Sequence, residues 1–579
     1  MVMNPTDEQA AILDAAGRVV RVNARAGTGK TTTLRMLAEK HRDRKLLYLV
    51  FNRRAMEEAE RTFPANITVR TLHSLAFRHG GYEWKDHIGS FSPADLLGAF
   101  REEQQTLAAL THGFLVFFMN AAFGRLEDAT AAYEAFIPAD RIGFFRDHRR
   151  RIIAVAREAA TAWNRKESPC PHDFYLKMAH SRGAFDSELA RYDMVLVDEG
   201  QDLSPIMLDV LGRCRRRVVM VGDTHQQIYG FRYAINAMDR LPVDEAFDLT
   251  RSFRFGKSIA VLASLLIREA KDDARFRVAG NPEKSSRLGF FSTSPKRPGS
   301  GTAILSRTNF SLFANAVDLR ARGIPYVFER DIGPVLWRAL DVYRLSENRR
   351  GEIRDRFVKS FESVDRLKAY AEEMDDYPLL ATHQIVKRYA DQFPGIIFEM
   401  GERCRERSPE AGGITLSTVH SAKGRQYPIV YIDKDVADCV DRAAGDGGNA
   451  EEINLAYVGL TRAEERLFLA AAFKSLLTPR WKELMKKIEA AQRGQRSRGG
   501  VKSSPATRPE NQGAGGVKFS EKLPKPAAIN PPSAPGCEVG DRVSTALGRG
   551  TIITIKGDEC LVDLDNQPGC AWWRIRELD

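Results

Sequence analysis

Nowhere in these 579 residues does an apolar run reach the ~18–20 residues that a membrane span needs. The opening stretch, MVMNPTDEQAAIL, carries neither a basic leader nor a hydrophobic segment. Seven cysteines, at 170, 214, 404, 439, 537, 560 and 570, are scattered, odd in number and never spaced C-x-x-C. That pattern excludes a disulfide framework and argues against zinc or iron–sulfur sites. Large apolar residues are almost missing from 489–535, which is rich in Gly, Pro, Ser, Lys and Arg and reads as a flexible basic linker. Neither that linker nor the short tail after it holds a carboxylate-rich cluster, which argues against a fused nuclease. Together these absences predict a reducing compartment, no membrane partner and a cytoplasmic location (nucleoid-associated in a prokaryote).

What is present is a basic chain with ample core material. Lysine and arginine outnumber aspartate and glutamate 87 to 76, a formal charge of +11, and 43% of residues are hydrophobic. The charge implies a polyanionic partner, although part of the excess sits in the linker. Three to five folded units fit the length. Short apolar runs rich in Val, Ile and Leu recur: VVRVNA (19–24), LLYLVF (46–51), DMVLVD (193–198), RVVMVGD (217–223), GTAILSR (301–307), PIVYID (428–433) and RLFLAA (466–471). Such runs, separated by helical stretches, read as buried parallel strands of an α/β fold. They fall into two groups, one before about residue 255 and one after about 300, so two RecA-like sheets are expected. Two helical, charged stretches, 78–175 and 331–410, read as insertions in loops of those sheets. The last stretch, from 536 to 579, returns to short alternating strands with glycine turns and predicts a small β-barrel.

Two segments carry the chemistry. ARAGTGKTT (24–32) is a glycine-rich turn between an apolar run and a helical stretch. Such a turn aims backbone N–H groups at phosphate oxygens; Lys30 adds a point charge and the Thr31 hydroxyl is a Mg²⁺ ligand candidate. LVDEGQD (196–202) places Asp198 and Glu199 just after a second buried strand, where one carboxylate can hold Mg²⁺ and the next polarise water. The pair predicts nucleoside triphosphate hydrolysis, with ATP and Mg²⁺.

Read in order, further segments match one family. They are TDEQ (6–9), LYLVFNRRAMEEAERTFP (47–64), VRTLHSLAF (69–77), VGDTHQQIYGFR (221–232), LTRSFRFG (249–256), STVHSAKGRQY (417–427) and NLAYVGLTRAEERL (454–467). With the two segments above, the chain resembles superfamily 1 helicases of the UvrD/Rep type, most closely their F-box DNA helicase branch. The resemblance concerns the motor only, since no F-box segment is found. It implies RecA-like domain 1A at 1–77 and 176–255, insertion 1B at 78–175, domain 2A at 256–330 and 411–488, and a short insertion 2B at 331–410. It also implies roles. Gln9 would read adenine, Phe253 would stack on the base, and Ala26, Gly27, Thr28, Gly29 and Thr32 would wrap the phosphates beside Lys30 and Thr31. Gln226 would sense the γ-phosphate, and Arg254 and Arg462 would neutralise transition-state charge from the far side of the cleft. Phe51, Asn52, Thr71, His73, Tyr229, Phe231, Arg232, Thr418 and His420 would line a single-strand groove.

The chain departs from the family pattern in three places. After SAKG the family often has Leu-Glu-Phe, its glutamate contacting the ribose; here Arg425, Gln426 and Tyr427 stand, and Gln426 can still accept a hydrogen bond. Thr32 stands where an arginine is common, and the second insertion is short for its type. The C-terminal stretch resembles the Tudor-like, SH3-like module ending UvrD/PcrA proteins, which docks protein partners. Its Trp572 and Trp573 are either an exposed pair or core, and the linker's Arg493, Arg496, Arg498 and Lys502 either add DNA affinity or merely solubilise. The resemblance implies an ATP-dependent helicase and translocase moving 3′ to 5′ on single-stranded DNA, acting on tailed duplexes in repair or recombination. Two other readings stay open: a translocase that strips proteins from DNA without efficient unwinding, and a nucleotide-gated DNA-binding adaptor.

Overall fold

The computed structural model describes residues 4–230, 233, 236–291, 301–403, 413–443 and 449–473, together with four short strands between 542 and 574. Twelve strands precede that last group. The first six are β1 (Val19–Ala24), β2 (Leu46–Leu49), β3 (Ile67–Arg70), β4 (Met194–Val197), β5 (Arg217–Gly222) and β6 (Glu245–Leu249). They form one sheet in the order β3-β2-β4-β5-β1-β6, every pairing parallel. The next six are β7 (Arg287–Phe291), β8 (Thr302–Ser306), β9 (Tyr326–Phe328), β10 (Ile414–Thr418), β11 (Tyr427–Ile432) and β12 (Ala463–Ala470). They form a second all-parallel sheet, β7-β12-β11-β8-β10-β9. The chain therefore holds two parallel-sheet α/β domains, as its apolar runs predict.

Both faces of each sheet are covered, so side chains alternate between two cores rather than between core and water. In the first sheet Leu47, Leu49, Val195, Val197, Val218 and Met220 enter one core. Their neighbours Leu46, Tyr48, Met194, Leu196, Val219 and Val221 enter the other. Burying each such Leu, Ile or Val contributes ~1.5–3 kcal/mol. The two helical insertions share these cores. Phe114, Phe145 and Trp163 of the first join the face that holds Leu47 and Val195. Leu336, Leu367, Ile385 and Phe393 of the second pack with Ile304 and Leu416 of the second sheet.

The final strands, β13 (Arg542–Thr545), β14 (Gly548–Lys556), β15 (Glu559–Leu564) and β16 (Cys570–Arg574), make an antiparallel meander in sequence order. Phe231, Arg232 and the linker arginines lie outside the described residues. Among the described residues no helix is long and apolar enough to cross a membrane, and Cys170, Cys214 and Cys439 are free.

Candidate functional site

Because the first sheet is wholly parallel, the carboxyl ends of its strands share one edge, where open α/β sheets bind ligands. The chemistry-bearing segments leave from that edge in spatial order. Thr71 and His73 follow β3, Phe51 and Asn52 follow β2, and Asp198 and Glu199 follow β4. Asp223, Gln226 and Tyr229 follow β5, the glycine turn follows β1, and Phe253 and Arg254 follow β6.

The turn after β1 takes its shape from two glycines. Gly27 and Gly29 have φ of +74° and +83°, a region L side chains avoid. A Cβ at Gly27 would also lie 2.6 Å from Ser252 Oγ and 2.7 Å from Arg254 Cβ. Gly29 caps the helix Lys30–Lys40, whose first N–H groups point out of the turn. Above it, a cleft of about 400 Å³ is lined by Gly27 to Thr32, Glu199, Gln226, Phe253, Arg254, Gln426 and Arg462, among others.

At the cleft floor Thr31 Oγ1 donates to Asp198 Oδ2 at 3.2 Å, and Tyr48 Oη donates to the same oxygen at 2.7 Å. Lys30 Nζ lies 3.4 Å from Glu199 Oε2, which also accepts Gln201 Nε2 at 2.6 Å. Burial opposes the Lys30 charge, but Glu199, Asp223 and Asp198 outweigh it and hold the ammonium above its ordinary range. Burial would raise Glu199; Lys30 and Lys423 override it and bring the carboxyl down to about 2. Asp198 is shifted up, first by burial and then by Glu199 beside it. Glu199 itself has φ of +53°, a strained conformation that costs ~1–3 kcal/mol and clusters at functional sites.

The far wall comes partly from the second sheet. Arg462 is buried and spends its guanidinium on Val458 O (2.9 Å), Arg425 O (3.2 Å), Thr461 Oγ1 (3.2 Å) and Gln226 Oε1 (3.5 Å). Arg254 donates to Thr461 O at 2.8 Å and to Gln426 Oε1 at 3.1 Å. Arginine only donates, so this contact orients the Gln426 amide with its oxygen toward Arg254. That oxygen keeps a second lone pair, so Gln426 can both accept and donate at the cleft, and the acceptor role suggested by the sequence stays open. Gln9, buried beside Gly29, is held at both ends: its Oε1 accepts Thr6 N at 3.0 Å and its Nε2 donates to Thr33 Oγ1 at 3.0 Å. The Phe253 ring remains 40% exposed at the cleft mouth, near enough to meet a Cβ on Gly29 at 3.6 Å.

The residues assigned to the strand groove fall into two clusters. Phe51, 41% exposed, stacks on Tyr229 with centroids 5.4 Å apart and planes 11° from parallel. Tyr229 in turn meets the His420 ring at 6.3 Å and its main-chain oxygen at 3.4 Å. Burial, helped by Arg307, lowers His420 to about 4, so it is neutral at physiological pH. Separately, His73 Nε2 pairs with Asp173 Oδ1 at 2.8 Å, and its ring meets Tyr175 edge-on. Asn52, Thr71 and Thr418 each cap a helix N-terminus, accepting from Ala55, Ser74 and Ser421 N–H.

Residues 7–232 match the family described as AAA domain, and residues 340–474 match the UvrD-like helicase C-terminal domain. The chain carries UvrD-like helicase domains. It is similar to F-box DNA helicase 1 of Gallus gallus, 29% identical over 514 residues, covering 82% of this chain and 49% of that protein. F-box DNA helicase protein 1 of Schizosaccharomyces pombe is also 29% identical, over 529 residues, covering 80% and 57%. ATP-dependent DNA helicase UvrD2 of Mycobacterium tuberculosis is 25% identical over 557 residues, covering 80% and 78%. The chain spans about half the length of the first two relatives.

Within these helicase domains the structure adds residues that sequence reasoning passed over. Lys423 donates to the Asp202 carboxylate and, at 2.6 Å, to Gln226 O, and its ammonium lies 4.9 Å from the Tyr229 ring centroid. Asp202 is pushed up to about 6, because burial outweighs Lys423. Tyr457 reaches from the helix Ala450–Leu460 to the glycine turn. Both sit inside motifs quoted above (SAKG and YVGLTR), but only a folded chain shows what they touch.

Proposed function

We propose that this chain is an ATP-dependent DNA helicase and single-stranded DNA translocase, probing its track with one edge of the first sheet and hydrolysing ATP between the two sheets. The observation that carries the reading is the convergence of Lys30, Glu199 and Gln226 from one sheet with Arg254 and Arg462 from the junction and the other, around a single cleft. That is a phosphoryl-transfer constellation: a cradle, a base, a sensor and two cations for developing charge. The helicases named above support DNA as the track, and the resemblance supports 3′ to 5′ travel and a repair or recombination setting.

Thr31 Oγ1 and Asp198 Oδ2 form a hard-oxygen pair 3.2 Å apart, which fits Mg²⁺ completed by phosphate oxygens and water. When bound, that ion would neutralise phosphate charge. Lys30, paired with Glu199 in this state, would turn to the β/γ-phosphates. Glu199 would stay ionised through Lys423 and Gln201 and orient the attacking water. Phe253 would stack on the base, with Gln9 at its edge, and Gln426 would hydrogen-bond the ribose. The sequence boundaries given above are proposed for domains 1A, 1B, 2A and 2B, and a cytoplasmic location is proposed with them. The β13–β16 meander supports a Tudor/SH3-like module that docks a protein partner.

The test is steady-state ATP hydrolysis with and without single-stranded DNA, beside Lys30→Ala and Glu199→Gln, followed by unwinding of a tailed duplex. Strong stimulation by DNA, lost in both variants, is expected. Tight DNA binding with negligible turnover would overturn the motor reading in favour of a nucleotide-gated adaptor. Stimulated turnover without strand separation would favour the protein-stripping translocase.

A further inference from the structure

One fully buried hydroxyl stands where the two sheets' segments meet. Tyr457 belongs to the helix Ala450–Leu460, ahead of Arg462, and its side chain is sealed from solvent. Yet its hydroxyl touches only the first-sheet side. It accepts from the N–H of Ala26, inside the glycine turn, at 3.2 Å, and donates to Asp223 Oδ2 at 3.1 Å. The same Asp223 oxygen accepts Gln226 Nε2 at 2.7 Å, and the other carboxylate oxygen accepts His225 N at 3.1 Å. Asp223 N in turn donates to Gln201 Oε1 at 2.9 Å, and Gln201 Nε2 donates to Glu199.

We propose that Tyr457 is a positioning residue for ATP turnover, fixing the phosphate turn and, through Asp223, the side chain of Gln226. The proposal rests on the hydrolytic reading of the cleft given above. Gln226 is gripped at both ends by one segment of the second unit. Its Nε2 is held through Asp223 and Tyr457, its Oε1 by Arg462 at 3.5 Å. Rotation of the second unit therefore moves the turn and the sensor together. The buried Ala26 N–H is satisfied by this hydroxyl, and Asp223 Oδ2 takes it as a second donor beside Gln226 Nε2, so removing it leaves the turn's N–H unpaired and frees the carboxylate to shift. Packing alone does not call for it: Phe276 and His225 meet the ring edge-on, at 5.6 and 6.3 Å, and a phenylalanine would satisfy both.

The experiment is Tyr457→Phe in the full chain, with nucleotide Kd by fluorescent-analogue titration, kcat with saturating single-stranded DNA, and a thermal melt. The expected result is a fall in kcat of about ten-fold or more, with Kd changed by less than about three-fold, the pattern of a group acting on the reacting geometry. In a Gln226→Ala background the same change should cost clearly less kcat than in the wild type, because the part of its effect that runs through that side chain is already lost. A structural role would instead lower the melting point and add in full to the Gln226→Ala loss, and that outcome overturns the proposal, as does an unchanged kcat. If Tyr457→Phe does not fold, Asp223→Asn cuts the same path, with the same kcat loss and non-additivity expected. A wild-type chain without DNA-stimulated turnover would sink the hydrolytic reading itself. Normal wild-type turnover, lost in Lys30→Ala but kept in Tyr457→Phe, would sink only this inference.

Discussion

Gly27→Ala separates conformational strain from crowding at the phosphate turn. Placing a Cβ at φ of +74° costs ~1–2 kcal/mol. The added carbon would stand 2.6 Å from Ser252 Oγ and 2.7 Å from Arg254 Cβ, so the 252–254 segment must shift, at ~1–3 kcal/mol. The expected local destabilisation is about 2–5 kcal/mol, and Arg254 moves with it. Gly29→Ala carries the same backbone strain, but its nearest neighbour is the flexible Gln9 amide at 3.3 Å, so about 1–2 kcal/mol is expected. Amide hydrogen exchange over β1 reads both. Protection should fall by roughly 30- to 5,000-fold for Gly27→Ala and roughly 5- to 30-fold for Gly29→Ala. Equal losses in the two variants, or full retention of protection and kcat in Gly27→Ala, would refute the crowding argument.

Three further outcomes follow from the same geometry. Phe253→Ala should weaken nucleotide binding by ~10- to 100-fold through lost stacking. Its stability should hold within ~0.5 kcal/mol because the ring is half-exposed; calorimetric titration and a melt check the pair. Phe51→Ala, which breaks the stack on Tyr229, should cost ~1–3 kcal/mol in single-stranded DNA affinity while leaving the salt slope unchanged. A changed slope would mean that a phosphate contact had been lost instead. Asp202 binds its proton more tightly folded (about 6) than unfolded (3.8). Its contribution to stability is therefore greatest below about 3.8, declines as pH rises to about 6, and stays flat above, a loss of up to about 3 kcal/mol. Subtracting the urea-midpoint profile of Asp202→Asn from that of the wild type should isolate this decline, and a flat difference would refute it.

The interior of both sheets was legible in the sequence, because strands buried on two faces read as unbroken apolar runs. LLYL, MVLV and RVVMVG correspond to β2, β4 and β5, all but one of their residues buried. The edge strands were not. ITVR, EAFDL, RLGFF and YVF are paired on one side only and mostly half-buried, so their composition resembles loop. ITLST escaped for another reason: β10 is interior, but its hydroxyl residues mask the run. The glycine turn, Asp198 and Glu199 were readable because local spacing alone dictates their chemistry. Tyr457, Asp202 and Lys423 draw their roles from partners 197 to 431 positions away, and Gln426 and Arg254, 172 apart, orient each other. No window of sequence holds both halves of such a contact.

The strand order has a consequence for how the chain comes into being. β2 ends at Leu49, yet its neighbour β4 begins at Met194, and the whole first insertion must be made before the two can pair. At ~5–20 residues per second on the ribosome, β1, β2 and β3 wait on the order of ten seconds or more with one apolar face only partly covered. Leu72, Leu75 and Ala76 of the short helix after β3 reach one of those faces first, and the insertion helices complete the same core. The first insertion is thereby part of the sheet's own core rather than an appendage to it, and a nascent chain cut short within it is expected to keep that apolar face incompletely covered.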